Sequence, residues 1–464
     1  MGDMQLPDDA LYGASTRRAV LNFPISGYRM PDGFVRGLGL LKAACATANE
    51  ELGRLAPAKA EWIRKAAAEV IDGNHGDQFP VDVFQTGSGT SSNMNINEVI
   101  SNLACRYAGK PIGAGDPLHP NDDVNMGQSS NDTIPTVLHI SVAIALKELL
   151  IPALEHLADE LEAKSRDFAE FVKIGRTHLM DATPLTLGQE FSGYAAQVRK
   201  AVGRARKGVE VLGELAIGGT AVGTGINCHP EFPGKVVRIL TEKTGIEFRE
   251  AENHFEAQGG RDDAVEVAGL LTTMAASLTK IGNDIRLMGS GPRCGLGEIS
   301  LPATQPGSSI MPGKVNPVMC EMLVQSSIYA MGLGNTVALC GRDGHFELNV
   351  TIPLIAYSLH ESIRILANAS ETFADQCVSG IEANGEVCMS HVQRSLMLVT
   401  ALNPHIGYDQ ASFVAKKAFA ENKTLKQVIL EEGLMDEASV DAALDPMRMI
   451  SASEQGRATG PHGF

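Results

Sequence analysis

Apolar residues recur at three- and four-residue steps through most of this chain, the spacing of helices that each bury a stripe. From Asp132 to about Phe168, Leu150, Leu154, Leu157 and Leu161 hold one face while Glu148, Glu155, Asp159, Glu160 and Glu162 hold the others. The pattern predicts one long amphipathic helix. Runs over about 186–215 and 261–288 predict two more, the second carrying Ala264, Val267, Leu270, Leu271, Met274 and Leu278. Both are apolar round much of their circumference and so demand cover from something. A fourth run, Val318-Met-Cys-Glu-Met-Leu-Val-Gln-Ser-Ser-Ile-Tyr-Ala, follows Asn316-Pro317, which reads as an N-cap and a proline at the first helical position. Only 5% of residues are aromatic, with Trp62 the sole tryptophan, and alanine-rich segments recur, so the fold class expected is mainly all-α, built on long helices. The glycine-rich Ile217-Gly-Gly-Thr-Ala-Val-Gly-Thr-Gly-Ile-Asn227 lacks the preceding strand and the lysine of a nucleotide loop, and is expected to be a turn between antiparallel helices.

Composition narrows the partners. The 464 residues are 44% hydrophobic, ordinary for a globular protein of two or three domains, and the net charge of −16 argues against nucleic acid or an anionic membrane surface. An anionic substrate must then be drawn in locally, by a few cations and helix ends. The cysteines Cys45, Cys105, Cys228, Cys294, Cys320, Cys340, Cys377 and Cys388 form no C-x-x-C pair and are expected to be buried thiols. The start has no basic-then-apolar leader, and no uninterrupted apolar stretch reaches the roughly 18 residues a bilayer needs, so a soluble, cytoplasmic protein is expected. No H-E-x-x-H, paired-cysteine or EF-hand spacing occurs, so neither a metal nor a cofactor is expected. The polar, turn-rich end from Ser451 to Phe464 is expected to fray.

Four segments carry candidate chemistry. Gly307-Ser-Ser-Ile-Met-Pro-Gly-Lys-Val-Asn-Pro317 joins a hydroxyl pair, a cation and a helix start, a combination suited to holding a carboxylate and moving a proton. Thr86-Gly-Ser-Gly-Thr-Ser-Ser-Asn-Met-Asn-Ile-Asn97 offers hydroxyls and exposed backbone N–H groups, which serve equally well as a capping loop or an anion site. His119-Pro-Asn-Asp-Asp-Val-Asn-Met-Gly-Gln-Ser-Ser-Asn-Asp132 ends in a capping cluster. Lys173-Ile-Gly-Arg-Thr-His-Leu-Met-Asp-Ala-Thr-Pro184 places a histidine near an expected helix start, where a structural role is the commoner one.

Taken together these segments resemble the signatures of the fumarase/aspartase superfamily. The glycine before Lys314, Asn253-His-Phe-Glu256 and Gly344-His-Phe-Glu-Leu-Asn349 resemble its class II fumarase branch rather than aspartate ammonia-lyases. The likeness runs from Leu11-Tyr-Gly-Ala to Ala401-Leu-Asn-Pro-His-Ile-Gly-Tyr408. It implies a three-domain fold (1–128, a central helical bundle over 129–384, and a small helical 385–464), a homotetramer with shared sites, and reversible hydration of fumarate to L-malate, a step of the tricarboxylic acid cycle. It also implies Ser308 as the base, with His178, oriented by Glu321, in acid/base work. Ser88, Gly89, Thr90, Ser129, Ser130, Asn131, Thr177, Ser309, Lys314 and Asn316 are implied as substrate contacts. A second anion site is implied at His119, Asn121 and Asp122, although Gly115-Asp-Pro-Leu118 and Met126-Gly127 supply none of the cations common there. The rivals are an aspartate ammonia-lyase and a non-catalytic structural protein like the lens proteins related to argininosuccinate lyases.

Overall fold

A computed structural model describes residues 4–451, so all but the first residue of the polar 451–464 end lies outside the described part. Helix accounts for 63% of the chain and strand for 6%, which makes the fold all-α. The first long run is α-helical over Ser130–Ala145, widens to a π turn at Leu146–Leu150 and continues as Ile151–Asp167. The other long helices are Leu187–Val211, Asp262–Met288, Val318–Gly341 and Ile352–Gln376.

Three expectations need correction. The second long helix stops at Val211, ahead of Gly213, and Glu214–Leu215 instead pairs in parallel with Arg249–Glu250. Between it and Asp262–Met288 stand the helices Phe232–Thr244 and His254–Gly259, so 217–227 is a broad loop leading to the first of these rather than a tight turn between antiparallel helices. Six cysteines are buried as expected, but Cys228 is half-buried and Cys294 exposed. The helical stretches Ser130–Asp167 and Asp262–Met288 are long and apolar enough to cross a bilayer, although scattered polar residues interrupt them. The most apolar part of the first is 72% buried inside the protein, which marks it as a core helix.

The described chain divides into two compact units. One gathers residues up to Leu154 with Lys200–Thr279 and Gln325–Ala369; the other gathers Glu155–Arg199, Lys280–Val324 and the residues from Ser370 onward. In the first, helix Asp32–Glu51 buries Leu38, Leu41, Ala44 and Ala48 against Pro57–Ile71 and Ser130–Ala145. Each fully buried leucine contributes about 2 kcal/mol. In the second, a hairpin of Val172–Thr177 and Met180–Thr186 sets Val172 and Ile174 against Val392, Leu402, Val414, Val428 and Val440 of the C-terminal helices.

Candidate active site

In the first unit the candidate carboxylate-binding residues converge at two helix starts. Ser88 Oγ lies 2.8 Å from Thr90 Oγ1, which lies 2.7 Å from Ser130 Oγ. Thr90 and Ser130 open the helices Thr90–Tyr107 and Ser130–Ala145, where unpaired N–H groups and the helix dipoles favour an anion. Ser129 caps the second helix: its Oγ accepts the Asn131 N–H at 3.2 Å, and its own N–H donates to Asp132 Oδ1 at 2.9 Å. The other Asp132 oxygen accepts the N–H groups of Gly218 and Thr220 at 3.0 and 2.9 Å, which ties the 217–227 loop to this helix start. Asn131 Nδ2 donates to Ala221 O at 2.8 Å. Burial pushes the Asp132 carboxyl up to about 6, against the pull of these N–H donors.

Beneath this arrangement sits a residue that motif reading did not find. Lys42 is wholly buried, and its Nζ donates to Asn125 Oδ1 at 3.0 Å and Gln128 Oε1 at 2.9 Å. Asn93 Nδ2 also donates to that Asn125 oxygen at 3.1 Å, and Gln128 Nε2 donates to Val124 O and Met126 O, both at 3.2 Å. The 124–128 segment is thus folded around one ammonium group, whose pKa burial lowers to about 8. A cleft of about 380 Å³ opens alongside, lined by Asn121, Asn125, Gln128, Ser129, Thr220 and Asn227 among others. The available signal was a lone charge in the apolar run Leu38-Gly-Leu-Leu-Lys-Ala-Ala.

The expected second anion site occupies the π turn Pro120–Val124. His119 Nδ1 accepts the Asp122 N–H at 3.1 Å, while Asp123 accepts the His119 N–H at 2.8 Å and takes Lys59 in an ion pair of 2.7 Å. The histidine is thereby turned onto its own turn, and the lysine is committed to an acid.

In the second unit Thr177 and His178 lie at a hairpin tip and not near a helix start. His178 and Leu179 form its two-residue turn with φ of 56° and 62°, a conformation usually left to Asn-Gly. Holding two non-glycine residues there costs about 1 kcal/mol or more each, the kind of strain that collects at functional positions. His178 is exposed and makes no hydrogen bond or ion pair among the described residues, where its expected pairing with Glu321 is therefore not made.

The 307–317 loop folds on itself. The N–H groups of Ile310 and Met311 donate to Ser308 Oγ at 3.2 and 3.0 Å. Lys314 Nζ donates to Asn316 Oδ1 at 2.7 Å, and Asn316 Nδ2 donates to Gly307 O at 2.7 Å. A Cβ on Gly307 would stand 2.1 Å from Lys314 O, so only glycine closes this loop. The helix begins at Val318, one residue later than the N-cap reading required, and Asn316 spends its side chain on the loop. Glu321 lies in the first turn; Ser308 is half-buried, while Ser309 and Lys314 are exposed. A serine oxygen that already receives two N–H donors, close in sequence to an ammonium and a helix start, has the surroundings that stabilise an alkoxide.

Comparison with known proteins gives the family. The lyase family matches residues 2–332 and the fumarase C C-terminus family residues 398–451. The class II fumarate hydratase of Thermosynechococcus vestitus is 52% identical over 441 residues, covering 95% of this chain and 94% of its own length. This chain belongs to the class II fumarase family. The class II fumarate hydratase of Mycobacterium tuberculosis is 53% identical over 459 residues, covering 98% of this chain and 95% of its own. The crystal structure of the class II fumarase from Schistosoma mansoni matches with a TM-score of 0.94 at 39% identity, covering 97% of each chain. Membership makes the protein a lyase, and every residue implied above as a substrate contact is held by one of three local arrangements: the 88–131 helix starts, the 177–178 hairpin tip and the 307–317 loop.

Proposed function

We propose that this protein is a fumarate hydratase, adding water reversibly across fumarate to give L-malate. The observation that carries the reading is Ser308 Oγ, held by two backbone N–H donors in a loop that also presents Lys314 and Asn316, in a chain about half identical to class II fumarate hydratases. In the malate-to-fumarate direction the Ser308 oxygen, as alkoxide, takes a proton from the carbon next to a carboxylate. The electron pair moves into that carboxylate, giving an aci-carboxylate of two negative charges. The carbon–oxygen bond of the neighbouring carbinol then breaks, and the hydroxyl leaves as water with a proton supplied on the His178 side. Donors that converge where the charge develops are worth about 3 kcal/mol each. We assign that task to Lys314, Asn316, Ser309 and Thr177, with Ser88, Thr90, Ser129, Ser130 and Asn131 binding the substrate.

The site is proposed to be completed by other copies in a homotetramer. Between Glu321 and Arg342 the Val318–Gly341 helix carries no charged residue, and its outward face exposes Ile328, Tyr329 and Leu339 by 58%, 50% and 48%. Such a face needs cover, and His178, exposed and without a partner among the described residues, fits a site finished by a neighbour. The division at 128 and 384 falls at the starts of helices Ser130–Ala145 and Gly385–Arg394 and is kept as the proposed domain organisation. Eight free cysteines, six of them buried, favour a reducing compartment such as the cytoplasm. The test is a panel of malate, aspartate and argininosuccinate followed by the ultraviolet absorbance of fumarate. Turnover of malate alone supports the reading; turnover of aspartate replaces it with an ammonia-lyase, and none with any of the three leaves a structural protein.

A further inference from the structure

Glu298 is a fully buried carboxylate, and basic side chains from two separate elements meet on it. Arg176 Nη1 lies 2.7 Å from its Oε1 and Lys173 Nζ 3.5 Å from its Oε2, both from the strand that leads to His178. His391 Nδ1, from helix Gly385–Arg394, lies 3.6 Å from Oε1. The backbone of Glu298 is fixed as well: its N–H donates to Met288 O at 3.0 Å, and its C=O accepts the Asn384 N–H at 2.9 Å. Immediately after it, Ile299–Ser300 pairs with Glu382–Ala383, and the chain then passes into the loop that holds Ser308.

The hairpin is shaped to reach this carboxylate. Lys173 and Arg176 are three residues apart, so a regular strand would send them to opposite faces. Pairing shifts between Ile174 and Arg176, with the extra residue on the returning strand, and such an irregularity sharpens the local twist. It falls at Gly175, where a Cβ would come within 2.6 Å of Thr183 O, so the strands approach this closely only because that residue is glycine. Both cations then arrive at one acid. Lys173, 3% exposed, also donates to Glu190 Oε2 at 3.3 Å, and Tyr194 OH donates to Glu190 Oε1 at 3.0 Å, extending the network into helix Leu187–Val211.

We propose that Glu298, with Arg176 and Lys173, is a buried clamp that sets the direction of the His178 tip from the same segment that leads into the Ser308 loop. These are positioning residues: none is assigned to touch substrate, and the proposal rests on the functional reading of His178 given above. These ion pairs add a buried polar anchor to the apolar packing of Val172 and Ile174 beneath a strained two-residue turn, and displacing a reacting group by about 1 Å can lower a rate about 10²-fold.

Two variants test it, Arg176→Lys and Glu298→Gln, each read by steady-state kinetics with malate and by amide hydrogen exchange. Arg176→Lys keeps the charge and loses the guanidinium geometry; kcat is expected to fall at least about tenfold with KM within about twofold. Exchange is expected to quicken over 172–186 and not elsewhere. Glu298→Gln is expected to show the same pattern more strongly, and if it does not fold, Arg176→Lys decides alone. An Arg176→Lys protein with unchanged kcat, or with exchange quickened uniformly along the chain, overturns the proposal. Exchange is read without turnover, so an unmutated protein that fails to act on malate while the variants loosen only the hairpin would refute the hydratase reading and leave the clamp standing.

Discussion

In the first unit Ser88, Thr90, Ser129 and Asn131 are tied by hydrogen bonds to one another and to neighbouring backbone, above a wholly buried Lys42 and Asp132. In the second, His178 stands exposed at a hairpin tip, and the Ser308 loop is held mainly by its own backbone and by Asn316. On the proposed function the difference is one of task. Carboxylate recognition gains from donors that need no reorganisation, so its residues are locked before a ligand arrives. Proton transfer calls for groups that converge on a reacting carbon from more than one side, and the groups proposed for it stand on a hairpin tip and a loop, His178 exposed and Ser308 half-buried.

The largest effect separating the two regions is expected from Ser308→Ala. Removing the proposed base while leaving the carboxylate donors should lower turnover about 10³-fold, with affinity for a dicarboxylate inhibitor retained. Calorimetric binding beside the absorbance assay checks this, and turnover near that of the unmutated protein would rule Ser308 out. Lys314→Ala blurs the division, because its charge acts on the bound dianion and more strongly on the aci-carboxylate. A fall of about 10²-fold in kcat/KM is expected, with weaker inhibitor binding. Unchanged inhibitor affinity would contradict that role.

Lys42→Met probes the locked region and should leave the chemistry nearly intact. It strands the Asn125 and Gln128 oxygens and takes a positive charge away from Asp132, so a loss of about 3 kcal/mol in stability and a raised KM are expected, with kcat little changed. A pH series sharpens the test. The folded lysine releases its proton at about 8 and the unfolded one near 10.5, so between these the unfolded chain binds more protons and rising pH favours the folded state. The unmutated protein should therefore gain stability relative to Lys42→Met across that window in urea melts. A constant difference would mean that the lysine titrates normally.

Legibility in the sequence followed the range of the interactions. The 307–317 loop could be read because glycine, proline, serine and lysine act on one another within eleven residues. The long helices could be read because their periodicity is local, and their ends slipped where tertiary pairing took over, as at Glu214–Leu215. Helical patterns surround His178 and point to a helix start there, whereas Val172–Thr177 and Met180–Thr186 pair as strands. Lys42 depends on Gln128, 86 residues away, and Arg176 on Glu298, 122 residues away, and no local pattern announces either partner.

We propose that the locked carboxylate region and the His178 and Ser308 segments form working sites only when copies of the chain assemble. Mixing inactive Ser308→Ala and inactive His178→Asn proteins, dissociating them and reassociating them tests it most directly. Hydratase activity should return, because some composite sites then draw Ser308 and His178 from chains in which each is intact. Mixed tetramers verified by mass spectrometry that remain inactive would mean that both residues serve one site from the same chain, and the claim would fail.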